Sequence, residues 1–189
     1  MLRKVKHMKK STYYLGGAGL LAGAGALAFL WRSGKASIPE GAEAVKPFDI
    51  NRYLGKWYEI ARFDFKYENN LKNVTAEYSK NSNGSIRVVN RGYHTAKGEW
   101  RTAVGKAKPA GDKNEGRLKV SFFGPFYSGY NVLAMDPGYN HALVAGDDLD
   151  HLWILSREKQ LPADVTNDFL KKARKLGYPT DDLVWTQQD

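Results

Sequence analysis

Short stretches of alternating apolar and polar residues recur about every ten to fifteen positions from Phe48 onward, and this pattern limits the possible folds more than any other feature. Alternation with a period of two is typical of β-strands that bury one face. Turn-forming residues separate the stretches, as in 81–84 (NSNG) and 136–138 (DPG). We therefore predict eight strands, at residues 56–63, 74–79, 85–93, 100–107, 117–122, 129–135, 141–145 and 151–157.

Eight strands joined by short connections predict an all-β fold, an eight-stranded up-and-down antiparallel barrel whose closure leaves no strand edge unpaired. A barrel of this size is either filled by its own side chains or holds one small ligand in its interior. The periodicity of the sequence is compatible with both outcomes.

One C-terminal helix is predicted after the last strand. Pro162 fits a first-turn position, basic residues at 171–175 suit the carboxyl end, and Gly177 and Pro179 end the helix. Apolar residues at helical spacing predict that one stripe packs against the outside of the barrel. Residues 182–187 could add a short strand.

The amino-terminal part of the chain has the pattern of a membrane segment. Residues 1–12 are basic, and residues 13–31 form an uncharged run of 19 residues, enough to cross a hydrocarbon core of about 30 Å as a helix. The basic residues predict a cytoplasmic amino terminus. We expect a transmembrane anchor at 13–31, with a cleaved signal peptide as the alternative. Residues 32–46 then form a flexible linker, and residues 47–189 the folded domain.

The charge distribution excludes a nucleic-acid binder. The net charge is +9, but residues 1–35 contain seven basic and no acidic residues, which leaves 22 basic against 20 acidic residues in 36–189. The predicted barrel therefore has no basic field for phosphates. The chain has no cysteine, which excludes disulfides, thiolate chemistry and lipid attachment through an amino-terminal cysteine.

Nothing in the sequence predicts an enzyme or a metal site. The four histidines, at positions 7, 94, 141 and 151, form no metal-ligand spacing and no nucleophile–base arrangement. The acidic group Asp147, Asp148 and Asp150 is explained by a tight turn. We expect no cofactor, and we keep haem held by an interior histidine, or a related enzyme, as alternatives.

Three segments resemble the lipocalin family. Residues 55–62 (GKWYEIAR), after a short turn at 50–54, resemble the Gly-x-Trp motif of the first strand, and residues 153–157 (WILSR) resemble the motif that ends the eighth strand. Residues 122–132 (FFGPFYSGYNV) resemble the bacterial branch, the outer-membrane lipoprotein lipocalins. The resemblance covers about residues 47–188. The middle motif, Thr-Asp-Tyr, is Met135-Asp136-Pro137 here, so only the turn at Asp136 is carried over.

The resemblance implies a lipocalin barrel that binds a fatty acid or a lysophospholipid, with a role in lipid storage, transport or membrane maintenance under stress. Because the lipid-modified cysteine of the bacterial branch is missing, we expect an inner-membrane anchor with the domain on the periplasmic side. A structural envelope protein with a filled barrel is the alternative. The oligomeric state stays open.

The first and last motifs also predict how the barrel closes. Trp57, after Gly55, can plug one end, and Arg157 can lie across its ring as a cation–π pair. If Arg157 points at Trp57, strand alternation makes Trp153 and Leu155 face inward, and Trp57, Glu59, Ala61 and Phe63 share one face. The resulting ligand-binding candidates, with Tyr127 placed at the mouth, are Ala61, Ala76, Tyr78, Val88, Asn90, Phe122, Tyr127 and Trp153.

Overall fold

The computed structural model describes residues 36–63 and 70–189, and in this part of the chain nine strands form one antiparallel sheet that closes on itself. A short helix, α1 (Ile50–Tyr53), precedes the strands; a long helix, α2 (Ala163–Lys175), and a 3₁₀ turn (Thr180–Asp182) follow the eighth. The strands are β1 (Gly55–Phe63), β2 (Leu71–Lys80), β3 (Ile86–His94), β4 (Glu99–Pro109), β5 (Arg117–Phe123), β6 (Phe126–Met135), β7 (His141–Ala145), β8 (Leu152–Ser156) and β9 (Leu183–Trp185).

The predicted eight-stranded up-and-down barrel with an outside helix is confirmed. Strands β2 to β8 pair with their neighbours in chain order, and β1 pairs with both β8 and β2 to close the cylinder. The short C-terminal strand β9 pairs with the far end of β1, beyond the part that pairs with β2. The barrel has a closed end, where α1 packs and where the turns β2–β3, β4–β5 and β6–β7 lie. The turns β3–β4, β5–β6 and β7–β8 lie at the opposite, open end.

A β-bulge in β1 changes the predicted direction of several side chains. Glu59 pairs with Leu155, but Ala61 rather than Ile60 pairs with the next residue back, Ile154. One extra residue reverses the alternation, because each step along a strand changes the face. Trp57 and Glu59 therefore face inward, whereas Ala61 and Phe63 lie on the outer face. The predicted common face of these four residues is wrong beyond Glu59.

Two apolar clusters divide the core between the inside and the outside of the barrel. The interior cluster includes Trp57, Tyr78, Val88 and Leu155. The second cluster lies between the sheet and α2 and includes Ile154 and the helix residues Phe169 and Ala173, which are 6% and 0% exposed. Burying a side chain such as Phe169 stabilises the fold by about 2–3 kcal/mol, which fixes the helix on the wall.

Residues 36–46, predicted as part of a spacer, run along the barrel. The amide of Val45 donates to the carbonyl of Val132 (2.8 Å), and Gly116 donates to the carbonyl of Val45 (2.9 Å). Near the open end, the amide of Ser37 donates to Asp147 Oδ1 (2.6 Å). The predicted anchor at 13–31 lies outside the described residues, and within residues 36–63 and 70–189 no helix has the length and apolarity that a membrane span requires.

Candidate functional site

The closed end of the barrel is sealed by an indole and a guanidinium. Trp57 is completely buried, and its Nε1 donates to the carbonyl of Tyr53 (2.9 Å). The guanidinium carbon of Arg157 lies 3.9 Å from the centroid of the Trp57 ring, which is a close cation–π contact. Gly55 has a φ of +93°, and a Cβ there would lie 3.4 Å from Arg157 Nη1. The structure thus brings together the three residues predicted to close the barrel.

Arg157 also ties α1 to the barrel through backbone carbonyls. Its Nη2 donates to the carbonyls of Arg52 (3.0 Å), Tyr53 (3.2 Å) and Leu54 (2.8 Å), and its Nη1 donates to the carbonyl of Lys56 (2.8 Å). The last carbonyls of a helix have no partner within the helix and carry a partial negative charge. A planar cation with several donors satisfies them together.

Three tyrosine hydroxyls form a network in the interior above this seal. The hydroxyls of Tyr53 and Tyr130 lie 2.6 Å apart, and Tyr78 donates to Tyr130 over 2.8 Å. Burial raises the pKa of each of the three, so their hydroxyls stay neutral. Sequence reasoning found Tyr78 and missed the other two. The alternation in β6, in which Tyr130 shares a face with Val132, was the available signal for one of them.

Short side chains on three adjacent strands face the interior in a row that begins beside Trp57. Ala76 on β2 pairs with Asn90 on β3, which pairs with Ala103 on β4, so these short side chains form one row. The side-chain oxygen of Asn90 is buried and has no hydrogen-bond partner among residues 36–63 and 70–189. Closer to the opening, His94 is 8% exposed, and its Nδ1 is likewise buried without a partner in the described part of the chain. Short side chains in this row occupy less of the interior than larger residues at the same positions would.

Most of the predicted ligand-binding residues lie together on the interior face. Tyr78 and Val88 belong to the interior cluster, and Ala76, Phe122 and Trp153 pack against it. Phe122 also contacts a small group near the opening that contains Ala103. Asn90 pairs with Ala76 in the sheet, so six of the eight candidates lie on the interior face.

The other two candidates do not reach the interior. Ala61 is completely buried, but it lies in the cluster beneath α2, because of the bulge in β1. Tyr127 lies on the outer face, where its ring is surrounded by the ammonium groups of Lys106 (5.8 Å), Lys108 (4.8 Å) and Lys119 (5.8 Å). The expected interior position of Ala61 and the expected position of Tyr127 at the mouth are therefore corrected.

A buried ion pair on the inner face of β1 was not found from the sequence. Arg62 pairs with Trp153 in the sheet, is 1% exposed, and its Nη1 donates to Glu59 Oε1 (2.7 Å). Thr186, next to β9, accepts a hydrogen bond from Arg62 and donates one to Glu59. The bulge and the C-terminal segment create this arrangement together, and neither was marked as part of a site in the sequence.

The acidic turn between β7 and β8 is explained by internal hydrogen bonds. Asp147 accepts from the amides of Ser37 and Gly129, and Asp148 contacts His151 Nδ1 at 2.5 Å. Among residues 36–63 and 70–189, no three histidine or acidic side chains are grouped closely enough to hold a metal ion.

A closed up-and-down barrel with a Trp–Arg seal, an outer helix and an apolar interior defines the lipocalin class. The family model described as "Lipocalin-like domain" matches residues 48–188, and the chain belongs to the lipocalin family. Within the family it is of the bacterial Blc type. It is 48% identical over 150 residues to the outer membrane lipoprotein Blc of Escherichia coli (strain K12), a match that covers 79% of this chain and 85% of the relative.

Other relatives support the lipocalin family, and a solved structure supports the fold. The Blc protein of Vibrio cholerae is 43% identical over 157 residues, covering 82% of this chain and 92% of the relative. Temperature-induced lipocalin-1 of Arabidopsis thaliana is 36% identical over 155 residues, covering 77% and 82%. The structure of insecticyanin from the tobacco hornworm Manduca sexta superposes with a TM-score of 0.65 at 23% identity, covering 80% of this chain and 87% of the other, and supports the fold.

Proposed function

We propose that this lipocalin holds the acyl chain of a fatty acid or a lysophospholipid inside its barrel and serves lipid storage, transport or maintenance of a bacterial envelope. The observation that carries the proposal is the row of Ala76, Asn90 and Ala103 across three strands, which begins beside Trp57 at the closed end. Small residues on one level of the wall leave volume that larger side chains would fill. Each buried methylene of an acyl chain contributes about 0.8 kcal/mol before the cost of ordering it.

The polar atoms of the interior favour an amphiphile over a purely apolar ligand. The side-chain oxygen of Asn90 and the Nδ1 of His94 are buried and have no partner within the described ranges, and a buried polar atom left unpaired costs about 1–3 kcal/mol. A ligand with a hydroxyl or a protonated headgroup atom could satisfy them, with its chain extending toward the neutral tyrosine network. A few polar groups in an apolar wall are typical of sites that orient an amphiphile.

The place of action that we propose is the bacterial cell envelope. Blc relatives from Escherichia coli and Vibrio cholerae are named outer membrane lipoproteins, which supports an envelope location. The preference for the inner membrane, which rested on the missing cysteine, receives no support from these relatives, and we do not maintain it. No catalytic step is proposed, because lipocalins are generally binding proteins.

Displacement of a fluorescent fatty acid tests the proposal. The full-length chain, held in amphipol, is titrated with cis-parinaric acid, and palmitate or lysophosphatidylcholine is added as the competitor. We expect saturable binding that both competitors reverse. A chain that binds no displaceable probe would overturn the carrier function.

A pair of variants on β2 locates the binding site. Ala76→Phe adds a ring to the interior row, whereas Thr75→Phe adds the same ring one residue away on the outer face. We expect the first to weaken probe binding at least tenfold and the second to leave it unchanged, with circular dichroism to verify that both fold. Equal effects of the two variants would contradict an interior site.

Lipid extraction of the chain purified from membranes distinguishes the carrier from a filled structural barrel. A carrier yields about one bound lipid per chain by mass spectrometry. A filled barrel yields no stoichiometric lipid, and that result would favour the structural alternative.

A further inference from the structure

Two aromatic side chains are exposed at the tip of the hairpin that joins β5 and β6. Phe123 and Phe126 pair with each other across Gly124 and Pro125, and they are 72% and 48% exposed. The tip lies at the open end of the barrel, beside the entrance to the interior. Two large apolar rings on one exposed turn indicate a contact surface, since isolated soluble proteins rarely display such groups together.

Three lysines lie directly below this tip on the outer wall. The ammonium groups of Lys106, Lys108 and Lys119 surround the ring of Tyr127 at 4.8–5.8 Å. Within residues 36–63 and 70–189, none of the three lysines forms an ion pair with a carboxylate. Three like charges around one ring repel each other, and an external anion would relieve that repulsion.

The spacing of the two groups matches the interface of a bilayer. Lys106 pairs with Ser121, two residues before Phe123, so its backbone lies about 7 Å below the tip at the rise of a β-strand. Rings inserted at the boundary of headgroups and acyl chains reach a depth of about 5–10 Å. The ammonium of Lys106 then lies at the level of the lipid phosphates, and Lys108 and Lys119 lie within a Debye length of them.

The acidic turn on the neighbouring side of the opening sets the orientation. Asp147, Asp148 and Asp150 lie in the connection between β7 and β8, at the same end of the barrel. An anionic surface repels this turn and attracts the lysines, so the barrel tilts onto its β5–β6 side.

We infer that Phe123, Phe126 and the lysines around Tyr127 form a docking surface for an anionic phospholipid bilayer, which brings the open end of the barrel against the membrane. The docking goes beyond the proposed function and does not require a bound ligand. A barrel that fails to bind fatty acids can still dock, and a carrier can fail to dock, so the two proposals are tested separately.

The test uses the absence of native cysteine, which permits a single fluorescent label. The full-length chain is reconstituted in vesicles, with an environment-sensitive dye at Pro125→Cys on the hairpin tip. A control label is placed at Asn83→Cys, in the β2–β3 turn at the closed end. Spin-labelled phospholipids quench the dye only where it touches the bilayer, so quenching reports local contact rather than tethering.

We expect strong quenching at position 125 and little at position 83 in vesicles that contain phosphatidylglycerol, and weaker quenching at 125 in pure phosphatidylcholine or at high salt. Because each basic residue near an anionic surface contributes roughly fivefold to binding, replacing Lys106, Lys108 and Lys119 by Gln should reduce docking to the level in phosphatidylcholine. The matched control removes the same charge from α2, at Lys171, Lys172 and Lys175, and should leave quenching unchanged.

A second variant tests the aromatic tip, with Phe123→Ser and Phe126→Ser in the labelled chain. We expect it to abolish quenching at position 125 while probe binding in the interior persists. Equal quenching at positions 125 and 83, equal loss from the two lysine triplets, or a tip that stays unquenched in anionic vesicles would each overturn the docking surface.

Discussion

Replacement of Arg157 should open the closed end of the barrel, and the expected loss of stability follows from the contacts of its side chain. The two shortest hydrogen bonds, to the carbonyls of Lys56 and Leu54 at 2.8 Å each, contribute about 1 kcal/mol apiece once competition from water is included. The contact with the Trp57 ring at 3.9 Å contributes about 1 kcal/mol more. We therefore expect Arg157→Ala to lower the free energy of unfolding by about 3 kcal/mol.

The conservative variant separates charge from geometry. A lysine keeps the positive charge but reaches only one carbonyl, so Arg157→Lys should lower the free energy of unfolding by about 1.5 kcal/mol. The control is Arg174→Ala on α2, which breaks only an exposed ion pair with Asp181 at 3.5 Å and should change stability by less than about 0.5 kcal/mol.

Urea unfolding followed by tryptophan fluorescence measures these differences. For a chain of this size, 3 kcal/mol corresponds to a fall in Tm of about 6–12 °C. The emission of Trp57, which is completely buried, should also shift to the red in Arg157→Ala, because water reaches the ring. If Arg157→Ala and Arg174→Ala unfold at the same urea concentration, or if lysine replaces arginine without loss, the proposed seal is refuted.

Three further predictions concern the turn, the tyrosines and the interior. Burial opposes ionisation of Asp136, yet hydrogen bonds from the backbone amides of His141, Asn140 and Gly138 outweigh it and lower its pKa. The carboxylate therefore stabilises the fold above the unfolded pKa of about 3.9. In acid unfolding, Asp136→Asn should be less stable than the wild type at pH 7 and equally stable at lower pH. Because burial raises the pKa of Tyr53, Tyr78 and Tyr130, their contribution to the stability of the fold is complete below the unfolded pKa of about 10 and is lost as the pH rises above it. An absorbance titration at alkaline pH should show that these tyrosines ionise late, together with unfolding. Ionisation of all tyrosines in one step before unfolding would contradict this. Trp153→Ala should weaken displacement-sensitive fatty-acid binding, whereas exposed Trp100→Ala should not, and equal binding by the two variants would exclude Trp153 from the site.

The sequence predicted the strands well because alternation and turn residues are local signals. The strand β7 has the predicted bounds, and β6 begins three residues earlier than predicted, at Phe126, because Gly124 and Pro125 form a tight hairpin. That earlier start explains why Tyr127 belongs to a strand and lies outside. A residue placed in a loop has no fixed face, whereas a strand residue does.

Two further errors in the candidate site come from a β-bulge and from long-range contacts. Extrapolating from Trp57 along β1 assumes an unbroken alternation, and a single extra residue at the bulge moved Ala61 to the helix side. Nothing local in the sequence marks that residue. The tyrosine network depends on contacts between α1, β2 and β6, which are far apart in the chain. The sequence alone does not show which of these residues contact each other, because the contacts form only when the barrel closes.

The position of Ser37 determines at which end of the barrel the preceding segment leaves the domain. Because its amide is bound by Asp147 at the rim, any segment that precedes residue 36 leaves the domain on the same side as the entrance. If that segment is embedded in a bilayer, as its apolar run predicts, the open end of the barrel faces the membrane and the end closed by Trp57 faces the aqueous phase.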